Sequence, residues 1–127
     1  MKPKQQGLMR IVGAAVNSAR GMRAAWQSEA AVRQDVLLLV VLLPLAILAP
    51  VSPVERALMI FSLLLLLIVE LINSAIEAAI DRIGAELHEL SGKAKDIASA
   101  AVTFALINIA VTWLIILWPW FDKLLTS

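Results

Sequence analysis

The chain has no cysteine and no tyrosine, one histidine, and only 17% charged residues. Without cysteine there can be no disulfide, no thiolate nucleophile and no Cys-based metal site, and the redox compartment is left open. Eleven Lys and Arg against ten Asp and Glu leave a formal charge of +1. A field that would draw DNA or RNA is therefore missing. The P-loop pattern G-x-x-x-x-G-K-[ST] is absent, and so is the protein-kinase signature set. No internal repeat or low-complexity tract interrupts the sequence. Basic residues occur near the N-terminus, but no apolar h-region with a small-residue cleavage site follows them, so no cleaved signal peptide is expected.

What fills the chain instead is apolar. Hydrophobic residues make up 61% and the mean hydropathy is +0.86, against about 45–50% apolar residues in soluble domains. That excludes a soluble domain, and 127 residues allow one domain at most. The expected class is an all-α membrane protein in which residues 1–127 form a single membrane domain.

Three apolar runs stand out, at about 30–51, 57–80 and 97–118. The second and third are long enough to cross ~30 Å of hydrocarbon as helices. The first is marginal unless Ala30 to Arg33 is included, with Arg33 snorkelling. Pro44 should kink it, while Pro50 and Pro53 end it. Residues 8–28 form a weaker, amphipathic pattern. Leu8, Val12, Ala15, Ala19, Met22 and Trp26 lie close to one line at ~100° per residue, as in a helix lying on a membrane surface.

The basic residues orient these spans. Lys2, Lys4, Arg10, Arg20, Arg23 and Arg33 precede the first, and Arg82, Lys93 and Lys95 lie between the second and third. Only Arg56 and Lys123 fall on the other side. The excess places the N-terminus and the charged connection in the cytoplasm and the C-terminus outside. Trp113, Trp118 and Trp120 then sit near the outer end of the third span, where an aromatic belt is expected.

The second run carries the most informative feature. Glu70, Asn73, Ser74, Glu77 and Asp81 fall at i, i+3, i+4, i+7 and i+11, one face of a helix in lipid. Ionisable groups in a bilayer are costly and mark functional sites. A lone Asn or Ser would read as glue between helices. Two glutamates and an asparagine on one stripe argue for a site, either an ion or proton relay or a phosphate-handling centre. Glu70 and Glu77 are about 10.5 Å apart along the axis, too far to grip one metal directly. Glu77, nearer the cytoplasm, could hold a divalent cation with bound phosphate. Glu70, deeper, is suited to accept a proton. Asn73 can hydrogen-bond either a phosphate or a carboxylate.

The neighbouring connection favours phosphate. It ends in Ser91-Gly92-Lys93-Ala94-Lys95, with Lys93 and Lys95 expected at the start of the third helix, where free N–H groups attract anions. Taken alone, such a loop is a solvated anchor and His88 a polar loop residue. Glu29 stands where the surface helix meets the first span. Asn108, in mid-membrane, reads as interhelical glue worth ~1 kcal/mol.

The run Glu70-Leu71-Ile72-Asn73-Ser74-Ala75-Ile76-Glu77-Ala78, with Asp81-Arg82-Ile83-Gly84, Glu86, His88-Glu89-Leu90-Ser91-Gly92-Lys93-Ala94-Lys95-Asp96 and Ser99-Ala100-Ala101-Val102, closely resembles the prokaryotic integral-membrane diacylglycerol kinases. So do Arg23-Ala24-Ala25-Trp26 and Glu29-Ala30-Ala31-Val32-Arg33-Gln34 near the N-terminus. The signature E-x-x-N-[ST]-[AS]-[IL]-E-x-x-x-D is highly specific, and the resemblance covers nearly the whole chain. It implies a homotrimer of the bacterial inner membrane that transfers the γ-phosphoryl group of Mg-ATP to diacylglycerol, giving phosphatidic acid. By position, the resemblance makes Glu70 the catalytic base and a substrate contact, and Glu29 and Glu77 the ligands of Mg²⁺. Asn17, Glu29, Asn73, Glu77, Glu86, His88, Lys95 and Asp96 become the ATP site, and Arg10, Ser18 and Ser99 the lipid or phosphate contacts. Leu87 departs from the aromatic residue that the family often has between the Glu and the His.

Two alternatives remain. The acceptor could be undecaprenol, which close relatives phosphorylate, although the match at Trp26 to Gln34 favours diacylglycerol. A non-enzymatic proton relay or scaffold would retain Glu70 and Glu77 but would not need Lys93 and Lys95.

Overall fold

Backbone that crosses hydrocarbon must satisfy its own N–H and C=O groups, and a helix does so within one segment. The computed structural model describes residues 6–84 and 89–127. Four helices follow one another: α1 (Leu8–Ser28), α2 (Ala30–Leu48), α3 (Pro53–Ile83) and α4 (Glu89–Thr126). Among the described residues there is no strand. α2, α3 and α4 are each long and apolar enough to cross a membrane. At ~1.5 Å per residue the 19 residues of α2 reach about 28 Å, enough only because Ala30 to Arg33 are helical.

Each break between helices has a local cause. At the α1–α2 junction a single residue, Glu29, leaves the helical region (φ −120°, ψ 111°). Arg33 then turns back, and its Nη1 donates to the carbonyl oxygens of Trp26 at 2.6 Å and Gln27 at 3.4 Å. The side chain expected to snorkel thus caps the last carbonyls of α1, groups that a helix end leaves unpaired. The start of α3 is a capping box. Ser52 Oγ accepts from the Glu55 N–H at 3.2 Å, Glu55 Oε1 accepts from the Ser52 N–H at 2.9 Å, and Pro53 occupies the first helical position.

Arg56 joins the two ends of that turn. Its Nη1 donates to the carbonyls of Ala46, at 2.7 Å, and Ile47, and its Nη2 to that of Val51 at 3.3 Å. The guanidinium therefore satisfies the C-terminal carbonyls of α2 from the first turn of α3. Hydrogen bonds involving a charged partner contribute about 1.5–3 kcal/mol, so Arg56→Ala should lower the unfolding free energy in micelles by that order, read as a lower denaturant midpoint at unchanged slope. An unchanged midpoint would show the cap to be dispensable.

α3 is the central helix, packed against α4 and α2, whereas α1 buries no residue of its own. The core joins Leu39 and Ala46 of α2, Met59, Leu63 and Leu66 of α3, and Ala105, Ile109, Trp113 and Ile116 of α4. Ala46 and Ala105 let the helix backbones approach closely, as small residues do in membrane bundles. Trp113 corrects the aromatic-belt expectation: it is buried, and its indole Nε1–H donates to Ser62 Oγ at 3.1 Å. Ser62 in turn donates to the Met59 carbonyl at 2.7 Å. Trp118 and Trp120 remain exposed. Trp113→Phe keeps the ring and removes the donor. It should cost ~1 kcal/mol, and Ser62→Ala should add little to it, because both changes delete the same bond. Full additivity in a double-mutant cycle would contradict the coupling.

Asn108 is half-buried and makes no side-chain hydrogen bond to any described residue, so the glue expected of it is not supplied within one chain. α2 passes through Pro44 and α4 through Pro119 without ending, so the last apolar run stops at Pro119 but its helix does not. α4 also begins at Glu89. Lys93 and Lys95 therefore stand on its second turn rather than among the free N–H groups of the first.

Candidate active site where α1 turns into α2

The polar stripe of α3 meets the other helices where α1 turns into α2. Glu70, on the face that also carries Met59, Ser62, Leu63 and Leu66, is only 2% exposed. One turn on, Asn73 Nδ2 donates to Glu77 Oε1 at 3.4 Å, and both side chains are half-buried. Three buried oxygens have no hydrogen-bond partner among the described residues: Glu70 Oε2, Asn73 Oδ1 and Asp35 Oδ2. Buried polar atoms are normally paired, so three orphans at one place mark a site built to receive donors or a cation. The charges of Asp35, Glu77 and Glu29 all act on Glu70.

Asp35 is the residue that sequence reasoning missed. It follows Arg33 and Gln34 and reads as one more polar flank of the first span. Only the packing of α2 on α3 turns it toward Glu70. A polar residue four positions before the core residue Leu39 was the available signal: Val32, Leu39 and Ala46 repeat at seven, and Asp35 lies at i+3 from Val32, on the same side of the helix.

A groove of about 500 Å³ runs between α1 and α3 beside this cluster. Ser18, Gly21, Ala25 and Glu29 line one wall, and Leu71, Ser74 and Ala78 the other. Its walls are small and mostly apolar, with the Glu29 carboxylate and the hydroxyls of Ser18, Ser28 and Ser74 as the polar groups. Such a lining fits a lipid whose polar end meets a carboxylate.

On the next turn of α3, Asp81 Oδ1 accepts from Lys95 Nζ at 2.7 Å. Lys95 precedes the apolar run of α4, and this hydrogen bond raises its pKa. Both partners are substantially exposed, so solvent screens the pair and Lys95 can exchange it for a stronger anion. Glu77 also acts on Lys95, linking the cluster to the start of α4. Asp96 is exposed beside it.

The structure thus brings together Glu29, Glu70, Asn73 and Glu77, adds Asp35, and sets Lys95 nearby. Ser18 joins them through the groove, although its hydroxyl donates to the Ala14 carbonyl at 2.8 Å. Arg10, Asn17 and Ser99 are exposed and make no side-chain hydrogen bond among the described residues. Glu86 and His88, with Leu87, lie outside the described residues.

No set of three His, Cys, Asp or Glu side chains among the described residues could hold a metal ion by itself. Two carboxylates suffice for Mg²⁺, which takes one or two protein carboxylates and completes its shell with phosphate oxygens and water. Glu29 and Glu77 fit that requirement.

A family model described as prokaryotic diacylglycerol kinase matches residues 16–117. The chain belongs to this family. It is 50% identical over 115 residues to a diacylglycerol kinase of Escherichia coli, covering 91% of this chain and 94% of that one. With a diacylglycerol kinase of Pseudomonas aeruginosa the identity is 58% over 113 residues, 89% of this chain and 92% of the relative. With one from Helicobacter pylori it is 41% over 111 residues, 87% of each. Together with three helices able to cross a bilayer, membership in this prokaryotic kinase family makes the protein a multi-pass membrane protein. The family match contains the whole carboxylate cluster, the groove and Lys95; Arg10 and residues 118–127 fall outside it.

Proposed function

We propose that this chain is an ATP-dependent diacylglycerol kinase, making phosphatidic acid at the cytoplasmic face of a bacterial inner membrane. The observation that carries the proposal is the buried Glu70, with an unpartnered oxygen, beside the Asn73–Glu77 pair in a chain of this family. Diacylglycerol lies in the α1–α3 groove with its free hydroxyl toward Glu70, and Ser18, Arg10 and Ser99 contact its polar part. Glu70 accepts the hydroxyl proton as the lipid oxygen attacks the γ-phosphorus and ADP departs. Phosphoryl transfer depends mostly on positioning and charge neutralisation, and interfacial depth suits a base whose acceptor is a lipid headgroup.

Glu29 and Glu77 would hold Mg²⁺, which neutralises phosphate charge when bound. Asn17, Asn73, Glu86, His88, Lys95 and Asp96 surround the nucleotide, with Lys95 leaving Asp81 for a phosphate. The enzyme works as a homotrimer of single-domain chains, with N-termini in the cytoplasm and C-termini outside. The orphan oxygens and exposed apolar helix faces of one chain are consistent with neighbours completing each site.

Purified protein in mixed micelles with labelled ATP and diacylglycerol should transfer magnesium-dependent label to the lipid. No label in lipid would overturn the kinase reading. A strong preference for undecaprenol in a parallel assay would overturn the acceptor.

A further inference from the structure

Helix α4 changes character at Trp118. Upstream, apolar residues occur all round it, with Ala105, Ile109, Trp113 and Ile116 buried on one face and Phe104, Ile107, Leu114 and Ile115 exposed on the other. From Trp118 onward the pattern becomes one-sided. At ~100° per residue, Trp118, Trp120, Phe121, Leu124 and Leu125 occupy one arc of about 160°, and Pro119, Asp122, Lys123 and Thr126 the opposite arc. All five apolar side chains are exposed, Leu124 and Leu125 by 74% and 78%. The segment also begins where the family match ends, at residue 117.

Length places the change. From Ile97 to Leu117 the helix rises about 30 Å, the thickness of the hydrocarbon layer. The next eight residues, if they continued straight, would carry Leu124 and Leu125 through the headgroups toward water. Pro119 cannot donate to the Ile115 carbonyl, which weakens the ladder where a change of direction is required. The Lys123 ammonium lies 5.7 Å from the centre of the Trp120 ring, so the cation sits at the edge of the apolar arc. An apolar arc edged by a cation and tryptophans is the composition of an interfacial anchor.

We infer that residues 118–126 are an interfacial anchor whose apolar arc lies in the phospholipid headgroup boundary of the leaflet opposite α1, with Lys123 toward lipid phosphate. Amphipathic α1 rests on one leaflet and this segment on the other, and the pair sets the depth of α3 and its carboxylates. The inference is independent of which lipid the site phosphorylates.

The absence of cysteine makes the test direct. Single cysteines at 121, 122, 123, 124, 125 and 126 of the full chain, each carrying a nitroxide, are compared in mixed phosphatidylcholine and phosphatidylglycerol vesicles. Collision with oxygen should dominate at 121, 124 and 125, and collision with a water-soluble nickel chelate at 122, 123 and 126. Leu124→Glu with Leu125→Glu should erase the alternation and make the remaining labelled positions chelate-accessible. Chelate access at all six positions would show a tail in water. Oxygen access at all six would show a longer span, and protection from both reagents at 121, 124 and 125 would show a protein partner. Each of these three results overturns the inference.

Discussion

Glu70→Gln is expected to abolish lipid phosphorylation while leaving nucleotide binding nearly intact. A positioned general base contributes about 10²–10⁴-fold to rate, and the amide can no longer take the acceptor's proton. The substitution is nearly isosteric in a side chain that is 2% exposed, so the packing against Leu66 and Asn73 should survive. Labelled ATP binding, measured at equilibrium, separates the roles. If binding falls as far as turnover does, Glu70 holds the nucleotide or the fold rather than the proton. The same experiment also distinguishes the relay or scaffold reading, in which there is no turnover to lose.

The second large effect is expected at Glu77. Glu77→Gln keeps an oxygen that can accept the hydrogen bond from Asn73 Nδ2, now 3.4 Å long, but removes the charge available to a divalent cation. Removing one electrostatic stabiliser of a reacting phosphate costs about 10²–10³-fold. The loss should be accompanied by a raised magnesium requirement and weaker Mg-ATP binding, the opposite of the Glu70 result. Glu29→Gln should follow the Glu77 pattern. An unchanged magnesium dependence in both variants would remove these residues from the metal site.

Much of this was legible without coordinates because it depends on one helix at a time. The stripe of Glu70, Asn73, Ser74 and Glu77 follows from the helical period alone. Three spans follow from hydropathy, since a helix needs about 20 mostly apolar residues to cross hydrocarbon. The amphipathic line through α1 is likewise local. The resemblance at residues 70–102 supplied the chemistry that periodicity left open between a relay and a phosphate site.

The residues whose partners stayed hidden depend on two helices at once. Trp113 has the sequence position of a belt residue. Its indole is buried because Ser62, 51 residues earlier, offers an acceptor on the facing helix. Arg56 reads as a cation flanking the second span, and the structure adds that it caps α2 across the turn. Asp35, which no motif or period singled out, acts on Glu70.

The amino-acid sequence by itself therefore determined the class, the number of spans and the face of α3 that carries the carboxylates. These are consequences of burial in lipid and of a fixed 3.6-residue period. Only the tertiary structure decided that Asp35 and Glu29 converge on that face, that Lys95 rests on Asp81, and that a groove opens between α1 and α3. Their positions depend on how helices rotate and break relative to one another. That geometry is set by side chains far apart in the chain, such as Ala46, Met59 and Ala105 in the shared core.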